Sequence, residues 1–208
     1  MKKEQIDYYN NGQYKEIDLL LKAYNTFLFN TINGVTFTEG ENENRLIQEY
    51  LNKIYSLIIS VQNQVDNKDS LSLSLYTKYI YELLVDFLYI FSEKEKVDEK
   101  IELFFKFGKE THEIKWHKSQ IRQKSEKIKH TDFDNLHGIF YKTINKFTHP
   151  SIFSLLVNRR GTNKEIEHIS LCTNTICRFL IIILEHERVN KYFEINKIDL
   201  ENLKLKIR

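Results

Sequence analysis

The run Tyr81-Glu82-Leu83-Leu84-Val85-Asp86-Phe87-Leu88-Tyr89-Ile90 belongs to a helix that only a bundle can bury. Around it Tyr76, Tyr79, Ile80, Leu83, Leu84, Phe87, Leu88 and Phe91 recur at steps of three and four residues, the spacing of one helix face. That face is wide, so other helices must pack on it from more than one side. A helix from about Leu71 to Phe91 is therefore the expected centre of the molecule. On its remaining surface Lys78, Glu82 and Asp86 follow at four-residue intervals. Lys78 is placed to pair with Glu82. Glu82 and Asp86 form neighbouring carboxylates: either a pair that orients a histidine, binds a cation or does acid/base work, or a solvated helix face.

The same periodicity extends outward from this centre. Ile17, Leu20, Leu21, Tyr24, Leu28 and Thr31 predict a first helix from about Tyr14 to Ile32, closed by Gly34 and followed by a polar connection. Leu46, Tyr50, Ile54, Leu57, Ile58 and Val61 predict a second from about Glu43 to Val65, broken by Asp66-Asn67-Lys68-Asp69-Ser70. Ser92-Glu93-Lys94-Glu95 reads as a capping box opening a helix through Val97, Ile101, Phe104 and Phe105 and onward past Trp116. The last strong helix spans about Glu165 to Tyr192, with Ile169, Cys172, Ile176, Leu180 and Ile183 inward, and Leu200 to Ile207 is a shorter amphipathic end. With a single proline and six glycines there is little room for a turn-rich β architecture. The expectation is an all-α bundle of long antiparallel helices forming one domain over residues 1–208, with a core about 43–188 and a C-terminal helical extension 189–208.

A net charge of +2 excludes a polyanion binder by overall charge, so any nucleic-acid surface must be local. The local candidate is Lys115 to His130, where Lys115, Lys118, Arg122, Lys124, Lys127 and Lys129 face a single acid, Glu126. It reads either as a surface that tracks a phosphate backbone or as a solvated helix end. His112 and His117 do not share a helix face and make a poor metal pair. Cys172 and Cys177 read as buried free thiols in a reducing compartment. No apolar signal core follows Lys2 and Lys3, and the longest purely apolar run, Phe179 to Leu184, falls far short of the about 20 residues of a membrane span. The expected location is the cytoplasm, without a membrane partner.

One more stretch carries chemistry: Tyr141-Lys142-Thr143-Ile144-Asn145-Lys146-Phe147-Thr148-His149-Pro150-Ser151. Phe133, Leu136, Phe140, Ile144 and Phe147 mark an amphipathic helix that starts at Thr131, with Asp134 completing a capping pattern. Pro150 disfavours the α conformation at His149, so the helix ends there. Lys142, Asn145, Lys146 and His149 form its polar edge. A histidine beside a lysine has the parts for metal-independent RNA cleavage, in which the 2′-hydroxyl attacks the neighbouring phosphate. The bland reading is the stronger on residues alone: a histidine at a helix C-terminus serves as a cap, and a Lys/Asn stripe as a wet face. After it, Asn158-Arg159-Arg160-Gly161-Thr162-Asn163-Lys164 is a basic loop whose arginines either hold phosphates beside His149 or form a surface turn.

Tyr81 to Ile90, then Glu102-Leu103-Phe104-Phe105-Lys106-Phe107-Gly108, then Phe140 to Ser151 with its His-Pro-Ser ending, resemble in order a bacterial family of helical domains, DUF5677. Those domains in turn resemble the HEPN superfamily, whose active members are metal-independent ribonucleases. The similarity covers about residues 71 to 155. HEPN ribonucleases carry an arginine, four to six residues, then a histidine, and two chains bring these motifs together across a dimer interface. By this resemblance His149 is the motif histidine, Asn145 its polar companion and Glu82 the acid of the earlier helix. Ile144 stands where the arginine usually precedes that asparagine, and the only cation at a permitted spacing is Lys142. The resemblance implies catalysis or RNA binding by His149, Lys142, Asn145 and Glu82. Lys146, Arg159, Arg160, Lys118 and Arg122 would contact nucleic acid, and neither metal nor cofactor takes part. It also implies a homodimer, RNA as substrate or ligand, and an antitoxin or other defence-system protein as partner in a prokaryotic toxin or anti-phage (abortive infection) setting. The alternative is a non-catalytic regulatory or sensing module that binds a protein or a nucleotide. A metal-dependent hydrolase built on Glu82 and Asp86 ranks last.

Overall fold

The computed structural model describes residues 12–34, 42–67, 69–107, 124–128, 131–140, 163–191 and 201–202. Among them every regular element is helical, and no strand occurs. In chain order they are α1 (Gly12–Gly34), α2 (Asn42–Asp66), α3 (Ser70–Phe91), a 3₁₀ turn (Lys94–Lys96), α4 (Val97–Phe107), α5 (Thr131–Ile139), α6 (Asn163–Glu185) and α7 (Glu187–Asn190). The first three match the sequence periodicity to within two residues at each end. Their predicted inward residues, from Ile17 and Tyr24 on α1 to Ile54 and Val61 on α2, are buried.

α1 and α2 form an antiparallel pair: Asn25 hydrogen-bonds Gln62, and the Phe29 and Tyr55 rings lie 6.1 Å apart. α2 turns into α3 through Asn67 and Asp69, whose amide donates to the Gln64 carbonyl at 2.9 Å. Asp69 is the N-cap of α3 and accepts from the Ser72 amide at 3.0 Å, satisfying one of the free donors of the first turn. α6 packs most heavily along α3 and also touches α1, α2, α5 and α7. It therefore shares the centre that the sequence assigns to α3 alone. Its long apolar run explains this, since Phe179 to Leu184 are all buried, a helix surrounded rather than one-sided. By length and composition, α6 is the one described helix apolar enough to cross a membrane, but 72% of its most apolar window is buried inside the bundle.

Three expectations are corrected. Ser92 does not open a helix; it closes α3, its amide and its hydroxyl both donating to the Tyr89 carbonyl. Lys100, 5% exposed, reaches the same carbonyl at 2.8 Å and places its charge at the negative end of the α3 dipole. The final helix does not run unbroken to Tyr192. It stops at His186, whose ψ of 133° is extended and whose Nδ1 accepts from the Arg188 amide to start α7. The His186 ring packs beside Phe87 and Phe91, and Arg188 ties α7 to Glu43 of α2 at 3.1 Å. Finally, Tyr79 is 41% exposed and points away from the core face where its period places it. The continuation past Trp116 and the segment from Leu200 to Ile207, apart from residues 201–202, lie outside the described residues.

Candidate functional site

The candidate site is approached along α5. Phe133, Leu136 and Phe140 are buried as their spacing predicts, and Phe140 itself leaves the α-helical pattern for a π turn. These aromatics close on Tyr81 of α3. The Tyr81 ring stacks on Phe140 with centroids 4.0 Å apart and planes 11° from parallel, faces Phe133 at 6.2 Å, and meets Phe179 of α6 at 5.6 Å. A fully buried tyrosine requires a partner for its hydroxyl, and His137 Nδ1 lies 2.5 Å from it. Burial pulls the His137 imidazole below its usual value against the opposing charge of Asp134, which favours the neutral ring. Tyr81 thus locks α5 to α3 and α6 at the residues that lead directly into Tyr141.

Glu82, the half-buried neighbour of Tyr81 in sequence, is the one predicted site residue within the described part of the chain. Lys142, Asn145, Lys146, His149, Arg159, Arg160, Lys118 and Arg122 lie outside the described residues. Asp86, one turn beyond Glu82, does not serve as the second member of a carboxylate pair facing solvent. Its Oδ1 accepts from Lys124 Nζ at 2.6 Å, and the Lys124 side chain is only 3% exposed. Lys124 therefore belongs to the interior, not to a basic surface, and its ammonium also lies 6.0 Å from the Tyr89 ring. The reason is α3 itself: a carboxylate on its flank supplies the counter-charge that a buried ammonium needs. Lys127, exposed, remains on the surface within 5.6 Å of Tyr89. Among the described residues no group of three or more His, Cys, Asp or Glu could hold a metal ion.

A second polar cluster sits between α3 and α6, and the sequence reading overlooks it. Ser74 Oγ lies 2.7 Å from His168 Nε2, and Cys172 Sγ lies 3.5 Å from the same nitrogen. Ser74, Thr77, His168 and Cys172 are all buried. Burial drives the His168 imidazole down to about 4 and the Cys172 thiol up to about 12, so the ring stays neutral and the thiol protonated at neutral pH. Desolvation alone drives the Cys177 thiol up as well, and both cysteines are free and buried, as expected. A serine, a histidine and a cysteine in contact are the parts of a nucleophilic site, yet none is accessible and the thiol is held in its unreactive form. The cluster fixes how α3 sits on α6. His168 precedes Cys172 by one helical turn, so the buried stripe through Cys172 was the signal that identifies it.

No family model, curated protein or solved structure matches the chain.

Proposed function

We propose that the chain is a HEPN-like protein of a prokaryotic toxin or anti-phage defence system, cleaving or binding RNA through the His149 edge without a metal. The observation that supports the reading most is the Tyr81 lock. It joins α5, which precedes Lys142–His149 in sequence, to the helix that carries Glu82. In the proposed reaction His149 takes the proton of a 2′-hydroxyl while that oxygen attacks the adjacent phosphorus. The bond to the 5′-oxygen breaks, the departing oxygen gains a proton, and a 2′,3′-cyclic phosphate remains. Lys142 offsets charge developing on the phosphate, Asn145 orients it, and Glu82 sets the histidine. Protein partners, a homodimer and a cytoplasmic location belong to the same reading.

The test is expression of wild type, His149→Ala and Lys142→Ala in a bacterial host, with growth followed, total RNA displayed and folding checked by circular dichroism. Growth arrest with RNA fragmentation in wild type, abolished in both folded variants and insensitive to a chelator in vitro, is the expected result. Identical behaviour of all three would leave the non-catalytic module as the reading. The exposed apolar surface of α3 gives that alternative its own physical support.

A further inference from the structure

A groove of about 500 Å³ opens between α2 and α3, walled by Lys53, Ser56 and Ser60 of one helix and Ser72, Leu75 and Tyr79 of the other. Along its α3 wall Leu71, Leu75 and Tyr79 follow at four-residue steps and stand 47%, 53% and 41% exposed. The chain itself shows, at the other end of the same two helices, what such a groove accepts. There α4 packs against both α2 and α3. It presents Val97, Ile101 and Phe104, spaced i, i+4 and i+7. Val97 and Ile101 are buried, and the Phe104 ring lies 5.8 Å from Tyr50, which meets Phe87 of α3 edge-on at 5.3 Å. Lys53 follows Tyr50 by about one turn, and Tyr79 precedes Phe87 by about two. Because α2 and α3 run antiparallel across their short connection, both steps lead away from α4 in one direction, and the open groove continues its seat. We infer that this groove receives an amphipathic helix of a separate protein, one that presents apolar residues at i, i+4 and i+7 with an acidic side chain beside them.

The seat of α4 fixes the class of occupant. Two helices that already bury one apolar stripe offer the same kind of ridge to a second. From Lys53 to Ser60 the open stretch runs roughly 10 Å, about two turns of helix, which is the length of an i, i+4, i+7 stripe. The α2 wall is low where another helix must approach closely. Ser56 and Ser60 are small, and their hydroxyls donate to the Asn52 and Ser56 carbonyls at 3.0 Å, so an apolar partner leaves neither donor unsatisfied. Charge supplies the acid. Lys53 is exposed, its ammonium rests 5.5 Å from the centroid of the Tyr79 ring, and among the described residues it makes no ion pair. A carboxylate on the incoming helix completes that pair at the edge of the groove. Two turns of helix cover less than the roughly 800 Å² per partner of a standard stable interface, so binding is weak, of about micromolar order. The inference rests on the part of the functional reading that gives the chain a protein partner, names that partner's chemistry, and does not depend on RNA cleavage.

The probe is a fluorescein-labelled peptide with the α4 sequence, Val97–Phe107, stapled on its polar side because 11 residues alone form a marginal helix. Fluorescence anisotropy is read as the full chain is titrated in. Wild type is expected to bind it saturably. Leu75→Glu, with unchanged circular dichroism, should weaken binding by at least about tenfold, since it places a charge at the centre of the contact. If Leu75→Glu loses helicity, Tyr79→Lys takes its place. Lys53→Glu should weaken binding a few-fold. A wild-type chain that does not bind overturns the inference, the result expected if the chain's own residues already cover the groove. Equal binding by Leu75→Glu overturns it too, since the peptide would then be displacing α4 from its seat, and so does equal binding of a scrambled peptide. His149→Ala that loses RNA fragmentation but keeps the peptide leaves the inference standing. Leu75→Glu that loses the peptide while RNA fragmentation persists supports the inference and leaves the RNA reading intact.

Discussion

In its N-terminal half, the two faces of α3 depart from the usual sorting of a helix. Its inward face carries Ser70, Ser74 and Thr77, all buried, while its outward face shows Leu71, Leu75 and Tyr79 to solvent. The inward hydroxyls are tolerated because each has a partner within reach. Ser74 Oγ donates to the Ser70 carbonyl at 3.1 Å or engages His168, and Thr77 Oγ1 donates to the Leu73 carbonyl at 2.8 Å. The outward leucines have no such explanation inside the monomer. Hydrogen-bonding capacity decides what this core accepts, and an exposed apolar ridge marks surface with work outside the fold.

Three measurements sharpen or break that contrast. The largest effect belongs to Tyr81→Ala, which empties the junction of α3, α5 and α6. It should lower the unfolding free energy by about 3–5 kcal/mol in a urea titration, whereas Tyr81→Phe, losing only the His137 bond, should cost about 1 kcal/mol. A small loss for Tyr81→Ala would show that α5 is not locked there. Next comes the polar seam. The His168 pKa is about 4 when folded, below the ordinary value of 6.5, so the unfolded chain binds more protons between these values. Its contribution is complete above pH 6.5 and fades as pH falls toward 4, by up to about 3 kcal/mol. Denaturation midpoints measured across that window should fall with pH, and His168→Gln should flatten the slope. The smallest effect is expected on the ridge: Leu71→Ala should change the unfolding free energy by no more than about 0.5 kcal/mol. A loss of core size there would mean that the ridge is part of the monomer's own packing.

The helices were largely legible because apolar periodicity is a local property. Leu46, Ile54 and Val61 repeat along α2, and the polar run from Asp66 to Ser70 marks the break before α3. The candidate site was legible in composition but not in arrangement. Glu82 and Asp86 look alike in sequence, one turn apart on the same flank. Asp86 is nevertheless committed to Lys124, which arrives from 38 residues away. Lys124 looks like any other lysine of a basic run, and nothing local marks it for burial. The same holds for Ser92, whose Ser-Glu-Lys-Glu context suits an N-cap, although the Tyr89 carbonyl at the end of α3 claims it instead. His168 escaped notice because its polarity hides it within an apolar stripe.

By itself the sequence determined the class: repeated three- and four-residue spacing, one proline and few glycines admit helices and little else. It also predicts a helix end at His149, outside the described residues, since the conformation before a proline is restricted by contacts within the chain. The tertiary structure alone decided which polar groups belong to the interior. Whether a serine, a histidine or a lysine can be buried depends on a partner that the chain brings from far away, as His168 does for Ser74 and Asp86 for Lys124. It alone also decided which apolar residues stay outside, because a helix presents the same ridge in sequence whether or not a neighbour covers it.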